Sequence, residues 1–348
     1  MYSFKNDYSE GAHPLILQKL AATNEEQQPG YGEDSFSVSA RSRLREEMQN
    51  DKAAIYFVSG GTQANLLVIS YLLRPHEAVI SARTGHIYAN ETGAIESTGH
   101  RIITVETDDG KVAPAALLEV LKAYHLRPHV VKPRMLYISN STEIGTVYTK
   151  AELSALFQLC NENGLLLFLD GARLGHALTA DTNDLTLADV AAYTHVFYVG
   201  GTKNGALLGE AIVFQSATLA PEFDYNLKQK GALLAKGRLL GIQFDQLFAD
   251  RLYFRLAHHA NQMAYRMATA IEQCGYPFLT TPVTNQLFPI LPRTVIDKLA
   301  ALYSFYIWKT IDNQHDAIRI ITSWATQEAV VEQFCRDFKK IHEEITRS

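Results

Sequence analysis

Between residues 53 and 214, short apolar runs alternate with longer amphipathic ones, and this alternation restricts the chain to few folds. Residues 53–59 (AAIYFVS), 77–81 (EAVIS), 101–106 (RIITVE), 135–139 (MLYIS), 165–170 (LLLFLD), 195–200 (HVFYVG) and 210–214 (EAIVF) read as strands. Residues 62–73, 87–97, 113–125 and 150–163 read as the helices between them. Near-continuous apolar strands separated by helices predict a mostly parallel sheet buried on both faces. After about residue 220 the texture changes. A long helical region over 228–274 leads to QLFPILP at 286–292, helical 294–303, strand-like 317–323 and a closing helix over 326–345. The reading is α/β. A large unit spans 1–245, with an N-terminal segment free to pack elsewhere, and a smaller α+β unit spans 246–348.

The 348 residues suffice to bury a sizeable core. Lys and Arg number 32 against 37 Asp and Glu, a formal charge of −5 that argues against nucleic acid as a main partner. No apolar stretch approaches the roughly 20 residues that span a bilayer. The opening MYSFKNDYSE has no apolar core of a signal peptide. Cys160, Cys274 and Cys335 share no close spacing, so reduced thiols in a cytoplasmic chain are expected, and no metal site.

In open parallel sheets, ligands sit at the carboxyl ends of the strands. The residues after each strand are therefore the candidates. Gly60, Gly61 and Thr62 open the helix after the first strand, where free N–H groups and the helix dipole suit an anion such as phosphate. An ordinary tight turn is the other reading. His86 follows the second strand, with Tyr88 and Glu91 close behind. It suits ring stacking or proton transfer, or a plain structural role. Asn140, Ser141, Thr142 and Glu143 follow 135–139 and either face a ligand or fill a turn.

Asp170 ends a strongly apolar run and needs a partner to keep its charge. That partner is either Arg173, in an internal salt bridge, or a protonated ring nitrogen. Lys203 lies in Gly-Gly-Thr-Lys-Asn-Gly (200–205) between two apolar strands. It is either a hairpin tip turned by Asn204-Gly205, or a desolvated amine able to attack a carbonyl. Together these are the parts that hold pyridoxal 5′-phosphate (PLP), which needs a lysine for its aldehyde and a carboxylate for its pyridinium nitrogen.

The chain resembles the threonine aldolases of the aromatic amino acid β-eliminating lyase/threonine aldolase family, PLP enzymes of fold type I (aspartate aminotransferase-like). The likeness rests on YGED (31–34), SGGTQAN (59–65), His86 to Glu91, FLDGARL (168–174), GGTKNG (200–205) and AIRIITSW (317–324). The resemblance implies that Lys203 holds the cofactor's aldehyde, with His86 and Asp170 also catalytic. Asp170 would pair with the pyridine nitrogen and Arg173 with the phenolic oxygen. Gly60, Gly61 and Thr62 would cradle the phosphate, and Asn140 and Lys236 would also face the cofactor. His86 would stack on the ring near the substrate's β-hydroxyl. Arg319 would clamp the substrate carboxylate, with Asn6, Asp7, Tyr31, Glu91 and Thr142 around the substrate. Tyr31 and Lys236 would reach a neighbouring subunit's site, in a homodimer or homotetramer.

The implied reaction is aldol cleavage of a β-hydroxy-α-amino acid, of threonine, allo-threonine or phenylserine type, to glycine and an aldehyde. Many threonine aldolases carry Ser-Lys-Gly where this chain has Thr202-Lys203-Asn204. Many also have a second histidine where this chain has Thr142 and Glu143, a variant similar to phenylserine aldolases. Two alternatives stay open on sequence: another PLP reaction such as β-elimination or transamination, and a catalytically silent PLP-binding protein.

Overall fold

A computed structural model describes residues 1–347. The chain opens with a short strand, β1 (Tyr2–Ser3), and two helices, α1 (Pro14–Ala22) and α2 (Ser35–Met48). The alternating region follows as β2 (Ala54–Val58), α3 (Gly61–Leu72), β3 (Glu77–Ala82), α4 (His86–Ala89) and β4 (Arg101–Val105). It continues with α5 (Pro114–Ala123), β5 (Lys132–Ser139), α6 (Lys150–Glu162) and β6 (Leu166–Asp170). Short helices α7 (Leu174–Leu178) and α8 (Leu187–Ala192) lead to β7 (Val196–Gly200) and β8 (Glu210–Phe214). Then come α9 (Phe223–Gln229), α10 (Arg238–Phe248) and α11 (Leu252–Gln273). The remainder is β9 (Gln286–Leu287), β10 (Ile290–Pro292), α12 (Arg293–Ala300), β11 (Tyr303–Ser304), β12 (Tyr306–Thr310), β13 (His315–Ile321) and α13 (Glu328–Thr346).

Seven strands form the central sheet in the order β2-β8-β7-β6-β5-β3-β4. Only β8 runs against the others, pairing antiparallel with both β2 and β7. Alternate side chains feed two apolar layers, as a period of two requires. Leu167, Leu169, Phe197 and Val199 pack on one face, against α2, α6 and α10. Leu166, Phe168, Val196 and Tyr198 pack on the other, against α3 and α9. Covering both faces explains why these strands read as unbroken apolar runs.

Two helical expectations change. The 87–97 stretch is helical only over α4 and a single 3₁₀ turn at Glu96–Thr98. Thr92 and Gly93 between them take positive φ, which a right-handed helix cannot contain. The long helix over 228–274 is three helices. Gly231 interrupts it with φ +70°, and Asp250 and Arg251 with φ 48° and 57°. Apolar periodicity runs through these breaks because each helix buries its own stripe.

A third apolar cluster joins Met263 and Met267 of α11 to Leu287, Ile318 and Ile320 of the C-terminal sheet and to Phe334 and Phe338 of α13. Phe4 belongs to it. β1 pairs parallel with β11, and the Phe4 backbone bonds to Ser304 O at 2.7 Å and Ile321 N at 2.9 Å. The Phe4 ring is fully buried against Tyr2, Tyr303 and Phe334. The N-terminus is thus pinned to the far end of the sequence, which sets where residues 6–8 lie. Phe4→Ala should cost about 3–5 kcal/mol in urea unfolding, the usual cost of emptying a buried aromatic site. A loss below about 1 kcal/mol, the scale of a mild core trimming, would mean the N-terminal strand contributes little to that core.

Candidate functional site

A cavity of about 300 Å³ lies at the carboxyl ends of the parallel strands. Ser59, Gly60, Gly61 and Thr62 line it after β2, and His86 after β3. Ser139, Ser141 and Glu143 line it from the end of β5. Asp170, Ala172 and Arg173 follow β6, and Thr202 and Lys203 follow β7. Glu210 lines it too, although it begins a strand. Since β8 runs in reverse, its first residue lies level with the last residues of its neighbours, and Gly200 pairs with Glu210.

Lys203 is no hairpin tip in solvent. The connection from β7 to β8 folds back on itself: Gly201 N and Thr202 N both donate to Gly209 O, at 3.0 and 3.2 Å. Gly209 N donates to Thr202 Oγ1 at 3.0 Å. Asn204 Nδ2 donates to Tyr253 O at 2.7 Å, tying the turn to α11. A small residue after the lysine would lose that tether. Burial and the charge of Arg173 hold the Lys203 ammonium below the usual lysine pKa, against the opposing pull of Asp7, Asp170 and Glu210.

Asp170 is 4% exposed. Burial alone would raise its pKa, but the His86 charge and hydrogen bonds from Tyr137, Tyr198 and the Ala172 N–H outweigh that and leave it lowered. The Ala172 bond is 2.9 Å, and Asn65 Nδ2 stands 3.5 Å away. The carboxylate therefore stays ionised without an arginine. Gly171 makes room for this: a Cβ there would run into the Tyr198 carbonyl of the adjoining strand.

Arg173 does not pair with Asp170. Its Nε and Nη2 donate to Asp7 at 2.7 and 3.0 Å. Asn285 Nδ2 donates to the same carboxylate at 2.9 Å. Burial raises the Asp7 pKa, but Arg173 with Lys203 and His176 overcomes it and holds the carboxyl far below its usual range. Asp7 thus supports Arg173 from behind and does not line the cavity.

His86 and Glu91 form a pair. His86 Nδ1 lies 2.8 Å from Glu91 Oε1, which also accepts from Asn65 Nδ2 at 2.7 Å. The Glu91 side chain is wholly buried, so it orients the imidazole from below the cavity wall. Thr142 bonds Thr146 Oγ1 at 2.7 Å, and Asn140 Oδ1 accepts from Tyr148 N at 3.2 Å. Both shape the turn after β5 behind the lining. Asn6 Oδ1 caps Tyr8 N at 3.0 Å, outside the cavity.

Arg319 Nη2 donates to Gln286 Oε1 at 2.9 Å, and its guanidinium lies over Trp308. Its Nε is buried with no partner among the described residues. Burial and the Arg173 charge push its pKa down to about 10. Tyr31 lies in a separate cavity of about 450 Å³ with Arg41, Tyr56 and Asp224, beside the edge strand β2. Lys236 lies in the turn before α10, away from Lys203 in this chain.

Tyr137, Tyr198, Asn65 and Glu210 escaped the sequence reading. The tyrosines and Asn65 are hidden among the apolar residues of β5, β7 and α3. Glu210 left a signal, a lone charge opening an apolar strand. Its Oε2 accepts from Gly201 N at 3.0 Å. Burial pushes its carboxyl up to about 8, although Thr202, Lys203 and the Gly201 N–H oppose the shift. Among the described residues there is no group of side chains suited to a metal ion, and no helix long and apolar enough to cross a membrane.

Residues 8–293 match the beta-eliminating lyase family. The chain is 33% identical over 343 residues to a low specificity L-threonine aldolase of Pseudomonas aeruginosa, covering 97% of each chain. It is 45% identical to the solved threonine aldolase of Leishmania major, with a TM-score of 0.96 over 98% of this chain and 100% of that one. Aspartate aminotransferase of Thermus thermophilus, at 14% identity, is similar in fold alone, with a TM-score of 0.69 over 98% of this chain and 90% of that one. The α/β architecture is that of fold type I, as the sequence led us to expect.

The Glu210 carboxyl holds its proton to higher pH in the folded protein than in the unfolded chain. As pH rises from about 4.5 to about 8, the unfolded state ionises while the folded state does not, so this contribution to stability is lost. Glu210→Gln removes that dependence. The fall in apoprotein Tm between pH 5 and pH 8 should be smaller in the variant than in the wild type. An equal or larger fall would place the proton on another group.

Proposed function

Because the chain belongs to the beta-eliminating lyase family, we propose that it is an aldehyde-lyase that splits a β-hydroxy-α-amino acid of threonine or phenylserine type into glycine and an aldehyde, with PLP as cofactor. The observation that carries this reading is the convergence of Lys203, Asp170 and the start of α3 on one cavity.

The residues present fit PLP. Helix α3 has no side-chain cap at Gly60, so its first N–H groups stay open to a phosphate. A Cβ at Gly61 would come within 3.0 Å of the Tyr198 hydroxyl, so a larger residue would crowd the cradle. Gly60, Gly61 and Thr62 would hold the phosphate, Asp170 the pyridine nitrogen, and Lys203 the aldehyde. Asp7 occupies Nε and Nη2 of Arg173, which leaves Nη1 for the phenolic oxygen. PLP, when bound, supplies an aldehyde for amine chemistry and an electron-withdrawing ring that lets a bond at Cα break.

The chain's own residues do the rest. Asp170 keeps its charge at neutral pH and so would hold a proton on a ring nitrogen placed against it. Lys203, with its lowered pKa, offers a free amine more readily than an exposed lysine. Arg319 is suited to a substrate carboxylate, because its unpartnered buried Nε adds a donor beside Nη2. Fixing the carboxylate would limit which Cα bonds can stand across the ring. Glu91 holds His86 in a fixed orientation at the cavity wall.

In this reading the large unit is residues 1–245 and the small one 246–348. The protein is a cytoplasmic homo-oligomer, dimer or tetramer, with sites at a dimer interface. All three cysteines are free thiols, which fits a reducing compartment. The place of Tyr31 and Lys236, away from the Lys203 cavity of their own chain, fits a reach into a partner copy's site.

Purified protein given PLP should show a band near the edge of the visible that borohydride abolishes, and Lys203→Ala should lack it. With a threonine-type substrate the wild type should release glycine and aldehyde in equal amounts. Lys203→Ala should lower that rate at least about a thousandfold. Pyruvate and ammonia from serine, without aldehyde from threonine, would sink the aldol assignment and favour β-elimination.

A further inference from the structure

The proposed cleavage, on which this inference rests, requires a group to accept the proton of the substrate's β-hydroxyl. The turn after β5 supplies one. Glu143 lines the cavity next to His86, Ser139 and Ser141. Its Oε1 accepts from Ser139 Oγ at 2.7 Å and from the His86 backbone N–H at 2.8 Å. These two donors lock the carboxyl group to the first residue of α4, so its position is tied to that of the His86 ring. Among the described residues no side chain other than Ser139 donates to the carboxyl, and Oε2 is not among the buried unpartnered atoms, which leaves it open to the cavity that Glu143 lines.

The surroundings suit a base. Burial raises the carboxyl pKa, and the nearby Asp170 charge adds to this against the pull of Ser139. A carboxyl raised toward neutrality is matched to proton transfer at working pH. Arg173 and Arg319 both feel the Glu143 charge, so it stands near the proposed carboxylate clamp. His86, by contrast, already has Nδ1 committed to Glu91.

We propose that Glu143 is the catalytic base that takes the β-hydroxyl proton. The O–H bond breaks as the proton moves to Oε2. The oxygen's electron pair forms the second bond of the aldehyde carbonyl. The Cα–Cβ bond breaks and its pair passes to Cα, which becomes glycine on taking up a proton. Glu143 then returns its proton to solvent.

Glu143→Gln keeps an oxygen for both Ser139 and His86 and removes only the basicity. In the PLP-loaded protein, cleavage of threonine or phenylserine should fall about a hundredfold or more. Exchange of the glycine Cα hydrogen with D₂O needs no β-oxygen and should stay within about threefold of wild type, well short of the loss expected from removing a base. Glu143→Asp, which retains a carboxylate, should recover at least about tenfold of the lost cleavage. If cleavage and exchange fall together in Glu143→Gln, or if cleavage does not fall, Glu143 is not the base. If the wild type exchanges glycine but cleaves no β-hydroxy amino acid, the proposed reaction itself fails, and the base assignment with it.

Discussion

A guanidinium buried at the end of a core strand must find an anion, or the site cannot keep it there. Arg173 finds Asp7, a residue far away in sequence, and the pair is nearly sealed from solvent. Asp7 reaches this position because Phe4 is locked into the C-terminal core three residues earlier. Asn285, bonded both to Asp7 and to Thr322 O, closes the link from the other side. One ion pair, with Asn285 bonded to it, therefore joins the central sheet, the N-terminal segment and the C-terminal strands. In such a pair the loss of either member strands the other charge, which makes the junction hard to loosen gradually.

Around that junction the fold gathers carboxyl groups and treats them differently. Asp170 receives two tyrosine hydroxyls and an amide N–H and stays ionised. Glu210 receives one amide N–H and a threonine in deep burial, and holds its proton toward neutral pH. Glu143 accepts from Ser139 and the His86 N–H, but burial and the Asp170 charge raise its pKa. Glu91 is committed to His86 and Asn65. Residues of like chemistry thus gain separate duties from the number of donors each faces. The reversal of β8 brings Glu210 into the group, since a parallel strand would carry its first residue to the opposite edge of the sheet.

The central strands were legible because burial on both faces leaves an unbroken apolar run. Lys203 and Asp170 were legible as charges placed where such runs end. The turn at Gly60 and Gly61 was legible from its position before a helix. The Asp7–Arg173 pair was not, because nothing local in either segment names its partner, and Arg173 has Asp170 much closer in sequence. Tyr137 and Tyr198 were hidden because a tyrosine in an apolar strand looks like core until its hydroxyl is seen to meet a carboxylate. The helix breaks at Thr92 and at Asp250 and Arg251 were hidden for another reason. These residues carry no local mark of positive φ, unlike a glycine.

The place of β2 has a consequence for how the molecule comes into being. It is the first strand of the central sheet to be synthesised, yet it lies at the sheet's edge and pairs only with β8, the last one, where Ala54 meets Phe214. The contact is the least local strand pairing of the central sheet, so its loop-closure entropy falls due late in that sheet's folding. The turn of Gly60, Gly61 and Thr62 hangs on the end of β2, while Lys203 hangs between β7 and β8. Until that edge closes, the two halves of the site belong to unconnected stretches of chain. A partly folded chain therefore lacks the turn of Gly60, Gly61 and Thr62 facing Lys203, and the cavity lined by both arrives together with the finished sheet.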